Sequence, residues 1–150
     1  MPNIVKADLW TLPAGQSIAN TIFVVTTNNV IRAGALVMGA GAAKQAAQRY
    51  TGLPRRAAAL ITDSNYGFLI VDWPRSTQAG IGIFQVKRDY RRPAELDLIR
   101  RSVAQLTSVA LRQPFYFRLN FPGIGAGQLA RSEVEPLLAC LPANVTITTY

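Results

Sequence analysis

Two apolar strands that each run straight into a glycine loop constrain this chain more than any other feature. "TIFVVTT" (21–27) is a continuous, β-branched run of the kind that fills a strand buried on both faces. It leads into "GALVMGAGAA" (34–43), after which an Ala/Gln/Arg stretch reads as a helix. "FYFRLNF" (115–121) is a second strand, and the loop "PGIGAG" (122–127) follows it directly. In an α/β sheet, ligands sit in the crevice beyond the carboxyl ends of the strands. If these two strands are neighbours, both loops converge on one crevice, where backbone N–H groups from two sides would wrap a diphosphate. The stretch "GALVMGAGAA" matches neither the P-loop nor the dinucleotide-binding fingerprint. The competing reading is two tight turns.

The rest of the chain alternates between strand and helix signals. "NIVKADL" (3–9) predicts a first strand, and a helix is expected from about Ala40 to Tyr50, closed by Gly52 and stopped by Pro54. "AAALITD" and "FLIVDW" around "SNYG" predict a hairpin, and "GIGIFQV" (80–86) another strand. The segment 91–113 is the clearest helix. Pro93 suits its first turn, Glu95 and Asp97 sit near its positive end, and Leu96, Ile99, Val103, Leu106 and Ala110 form one apolar face. A short helix near 132–140 and a strand "NVTITTY" complete the pattern. The expected class is a single α/β domain with a mixed sheet between helices.

Composition removes several chemistries. The chain has no histidine, and Cys140 is its only cysteine. Ser-His-Asp and Cys-His catalysis, an internal disulfide and a Cys-based zinc site are therefore excluded, and no metal or cofactor is expected. No apolar run reaches the ~18 to 20 residues of a membrane span, and the first residues lack a signal-peptide pattern, so a cytoplasmic protein is expected. The formal net charge is +8, and 13 of the 16 basic residues are arginine. That balance points to a polyanionic partner such as nucleic acid, with solubility as the plainer explanation. Arg55, Arg56, Arg91 and Arg92 form the two clusters that would serve such a role.

Taken alone, Asp8, Asn28 and Met38 read as turn or core residues. Lys87 follows the 80–86 strand and would share the crevice side of the sheet if that strand is parallel to the others.

In order along the chain, "VKADLW", "TTNNVIRAGALVMGAGAAKQAAQRYTGLP", "FQVKRDYRRPAELDLIRRSV" and "FPGIGAGQLARSEVEPLL" resemble the macro domain family. The likeness is greatest to the branch holding terminal ADP-ribose glycohydrolase and the antitoxin macro domain that acts on ADP-ribosylated DNA. The resemblance implies a three-layer fold, with a mixed, mostly parallel central sheet flanked by helices. It implies that Asp8, beside Leu9, accepts from the adenine amino group, and that Asn28 lies near the distal ribose. Met38, Gly39, Ala40, Gly41 and Ala42 match the first diphosphate loop, and Gly123, Ile124, Gly125, Ala126 and Gly127 match the second. Lys87 matches the lysine that helps to cleave the bond at the distal ribose. Where the glycohydrolase places an assisting aspartate, this chain has Gly127 or Leu129. The implied activity is removal of ADP-ribose from modified DNA or protein; the alternative is a module that binds ADP-ribose without turnover.

Overall fold

Alternation of side chains along the central strand sets the layering. In β2 (Thr21–Thr27), Ile22 and Val24 join one apolar cluster while Phe23 and Val25 join another. The computed structural model describes residues 2–150. Around β2 stand β1 (Asn3–Lys6), β5 (Phe68–Asp72), β6 (Gly80–Gln85), β7 (Tyr116–Asn120) and β8 (Val145–Thr149). They form a six-stranded sheet in the order β1-β8-β7-β2-β6-β5. Every pair is parallel except β5 with β6. A separate pair, β3 (Ile31–Arg32) and β4 (Ala35–Leu36), makes a small hairpin in the loop after β2.

Helices cover both faces. α1 (Gly41–Arg49) and α2 (Leu53–Leu60) pack Ala43, Ala46, Leu53 and Ala57 onto Phe23, Val25, Ile81 and Ile83. On the other face, α3 (Leu96–Arg112) and α4 (Arg131–Leu138) bring Ile99, Val103, Leu106, Val134 and Leu138 against Val24, Phe84, Phe117, Leu119 and Ile147. The chain thus has the expected three layers, with a mixed and mostly parallel sheet in the middle. No helix among the described residues is long and apolar enough to cross a membrane.

Several local expectations are corrected. "AAAL" belongs to α2 rather than to a hairpin, so β5 finds its antiparallel partner in β6. Pro54 does not stop a helix; it occupies the first turn of α2, where a missing N–H costs nothing. Gly52, in the left-handed region at φ 69°, is the cap from which α2 starts. Leu53 and Ala57, four residues apart, are the buried stripe of that helix. Pro93 lies outside α3, which begins after Glu95 in extended conformation. The first strand ends at Lys6, leaving Asp8 and Leu9 in the loop beyond it.

Tyr50 ties the end of α1 to the sheet. It is buried, and its hydroxyl donates to the Ala79 and Gly80 carbonyls at 3.0 and 3.3 Å. Burial, with the nearby Asp72 charge, pushes its phenol from 10.0 up to about 12, against a smaller opposing effect of Arg49. The raised value means that the fold favours the neutral phenol. Its stabilisation is therefore complete below pH 10 and lost as pH rises through about 12. Tyr50→Phe should cost about 1 kcal/mol in urea unfolding at neutral pH. It should also lose less stability than wild type between pH 10 and 12.

Candidate functional site

The crevice lies where β2 and β7 part. These neighbours pair in parallel from Thr21 with Tyr116 to Val24 with Leu119, and the ladder ends there. Beyond it the Asn120 side chain takes over: its Oδ1 accepts from Thr26 N at 3.0 Å and its Nδ2 donates to Thr26 Oγ1 at 2.9 Å. The chain leaving β2 enters α1 on one face of the sheet, and the chain leaving β7 reaches α4 on the other. Two loops that depart to opposite faces from adjacent strand ends leave a space between them.

That space is a cleft of about 610 Å³, within the roughly 300–1,000 Å³ range of small-molecule sites. Leu9, Asn28 and Lys87 line it, with Met38 to Ala42 from the first loop and Gly123 to Gly127 from the second. Asp8 does not line it. Ala7 and Leu9 do, and the exposed Asp8 carboxylate at the edge accepts from Thr11 Oγ1 at 2.9 Å.

The glycines of the two loops divide by what a side chain would meet. A Cβ on Gly123 would strike Ile99 Cδ1 at 2.8 Å, and one on Gly127 would press on Ala94 at 3.1 Å. Packing crowds both positions, and Gly123 also has φ 82°, where a side chain is strained. Gly39, Gly41 and Gly125 face open space. Gly41 and Gly125 also carry positive φ, at 57° and 65°, whereas Gly39 does not. Nothing in the chain's own geometry requires glycine at 39; room above the backbone at the cleft is what the residue supplies.

The loops also carry donors without acceptors. The first intrahelical bond of α1 runs from Lys44 N to Ala40 O, and Ala40 provides no side-chain cap. The N–H groups of Gly39 to Ala43 therefore have no partner among the described residues. Ile124, Gly125 and Ala126 are likewise free as donors. Two sets of N–H groups, one at the positive end of a helix, are suited to an anion with oxygens on both sides.

Lys87 is the only charged side chain lining the cleft among the described residues. Because β6 is parallel to β2, the residues just past its end stand on the crevice side, and Lys87, two beyond Gln85, donates from Nζ to Ala126 O at 3.2 Å. No Asp or Glu side chain joins it in the lining. Asp89 is taken by Arg91, which donates from Nε and Nη2 at 3.1 and 2.7 Å and holds the carboxyl well below its ordinary range. Glu95 pairs with Arg88, and Glu133 accepts from Ala130 N at the start of α4.

Several supporting residues carried no signal in the sequence beyond their polarity in an apolar run. Gln85, fully buried, accepts from Gly67 N at 2.8 Å and donates to Asn28 O and Asn29 Oδ1 at 3.3 and 3.1 Å. Asn28 spends its side chain on the loop itself, donating to Val37 O and accepting from Val30 N. The Thr27 hydroxyl is buried beside the cleft with no hydrogen-bond partner among the described residues. Tyr90 lines the cleft with the Arg32 and Arg91 guanidinium groups 5.1 and 5.7 Å from its ring centre.

The four arginines suggested for nucleic acid do not form one cluster. Arg56 pairs with Asp72, which sits opposite Ile81 near the start of β6, whereas Arg91 and Arg92 follow its far end. Arg55 donates to Ala33 O at 3.1 Å.

No protein-family model and no curated protein matches this chain. Solved structures do match its fold. The macrodomain of Mycobacterium tuberculosis DarG is 23% identical with a TM-score of 0.76, over 100% of this chain and 98% of that one. The Thermus aquaticus DarG macrodomain is 22% identical with a TM-score of 0.72, over 100% and 97%. Thermosipho africanus DarTG in complex with ADP-ribose is 19% identical with a TM-score of 0.69, over 88% of this chain and 38% of that one. The chain has the macrodomain fold.

Gly39→Val tests whether the open space over the first loop is used. The position has an ordinary φ and no neighbour within 4 Å of a Cβ, so thermal stability should stay within about 0.5 kcal/mol of wild type. Binding of inorganic pyrophosphate, measured by calorimetry, should fall at least tenfold, or ~1.4 kcal/mol. Unchanged binding would mean that the loop is only a turn.

Proposed function

We propose that this macrodomain-fold chain binds ADP-ribose in the cleft and uses Lys87 to release ADP-ribose from a modified macromolecule, DNA or protein. One observation carries the reading. Among the described residues, N–H groups without partners belong to two loops that line one cleft, where Gly39, Gly41 and Gly125 leave open space. A diphosphate fits that donor set without any metal, because backbone dipoles and a helix N-terminus supply the positive potential. The likeness in fold to a structure that holds ADP-ribose supports the same ligand here. On this reading adenine lies toward Ala7, Asp8 and Leu9, and the distal ribose toward Asn28 and Lys87.

Lys87 would act on the distal ribose as a neutral amine. Its nitrogen adds to the anomeric carbon as the bond to the macromolecule breaks, and the amine's protons pass through water to the departing group. The ring oxygen then leaves that carbon and takes up a proton, giving an imine, and water hydrolyses the imine, which restores the amine and frees ADP-ribose. The contact to Ala126 O holds the nitrogen beside the second loop. A specific observation favours a second reading, binding without turnover: no Asp or Glu side chain lines the cleft among the described residues to assist proton transfer.

Wild-type protein should give binding heat with ADP-ribose and should release it from ADP-ribosylated DNA or protein. Lys87→Ala should abolish release while keeping affinity for free ADP-ribose within about tenfold, or ~1.4 kcal/mol. Borohydride added during turnover should trap an adduct on Lys87. Tight binding with no release from either substrate would decide for the second reading. No heat at millimolar ADP-ribose would overturn both.

A further inference from the structure

Arg118 is a buried cation that the cleft chemistry leaves unused. It lies in the middle of β7, 3% exposed, in register with Phe23 on one side and Thr146 on the other. Phe117 and Leu119 point into the cluster under α3 and α4, so Arg118 points to the opposite face. There its guanidinium forms no salt bridge among the described residues. Instead Nε donates to Leu9 O at 2.9 Å and Nη2 donates to Asp8 O at 2.7 Å.

Such an arrangement is costly. A buried guanidinium held by carbonyls has lost most of its hydration without gaining a full opposing charge, and burial lowers its pKa, with the Asp8 charge only partly offsetting this. An apolar residue would fill this position in a strand core at less cost. What the guanidinium gives in return is geometric. Among the described residues no strand pairs with the segment that follows Ala7. Ala7 N donates to Thr149 O, and the next two carbonyls are both fixed by Arg118. Those bonds orient the Asp8–Leu9 peptide, whose Leu9 side chain forms one wall of the cleft and whose Asp8 carboxylate stands at its edge. Lysine could not span both carbonyls, because it carries a single donor head rather than a planar fork.

We propose that Arg118 is a positioning residue for the adenine end of the ligand, acting through the Asp8 and Leu9 carbonyls without touching the ligand. This rests on the ADP-ribose reading of the cleft. It predicts a loss confined to one half of the ligand, which a general weakening of the fold would not produce.

The test compares ADP, which carries the adenine half, with ribose 5-phosphate, which carries the distal half, by NMR titration of wild type, Arg118→Met and Arg118→Lys. Both variants should bind ADP at least tenfold more weakly and ribose 5-phosphate within about twofold of wild type. Equal losses for the two ligands, or no loss for either, would overturn the proposal alone. Failure of both variants to fold would also overturn it, by making Arg118 a folding residue. Wild type that binds neither ligand would instead overturn the ADP-ribose reading, and this proposal with it.

Discussion

Asn120 is where the sheet becomes a site. Its side chain completes the bonding of β2 at Thr26 after the ladder from β7 has ended, so the two strands separate without leaving a buried N–H unpaired. Everything at the cleft depends on that separation. Because the connections depart to opposite faces, the first loop reaches α1 with its N–H groups free, and the second brings Ile124, Gly125 and Ala126 toward the same space. Continued pairing of β2 with β7 would close the gap between them.

The electrostatics follow from the same economy. On the proposed reading backbone donors make the anion site, so few charged side chains are needed within it, and Lys87 alone lines it among the described residues. Three acids are occupied outside it: Asp89 with Arg91, Glu95 with Arg88, and Glu133 at the start of α4. The +8 charge is not gathered into one surface by the arginines that the sequence singled out, since Arg56 is paired with Asp72 and stands apart from Arg91 and Arg92.

Strand interiors and glycine loops were legible because each reflects a local rule. The run 21–27 alternates between two apolar clusters, and the face of Ile99, Val103, Leu106 and Ala110 packs as its spacing predicts. The error at α2 was also local: "AAALITD" is apolar enough for a strand, and Pro54 reads equally as a stop or as a first-turn residue. Nothing local distinguishes Asn120, Gln85 or Arg118 from an ordinary polar residue in a strand. Their roles depend on partners 94, 18 and 110 residues away, which only the folded topology supplies. Met38 and Asn28 carried little signal by themselves, and their place at the cleft follows from the loop around them.

The central claim is that backbone N–H groups of the two loops hold a diphosphate between them. Amide chemical shifts of the isotopically labelled protein, followed while ADP-ribose is added, test it most directly. The resonances of Gly39 to Ala43 and of Ile124 to Ala126 should move together, with one dissociation constant, toward the positions of hydrogen-bonded amides. Shifts confined to one loop, or centred on residues outside the cleft, would contradict the account.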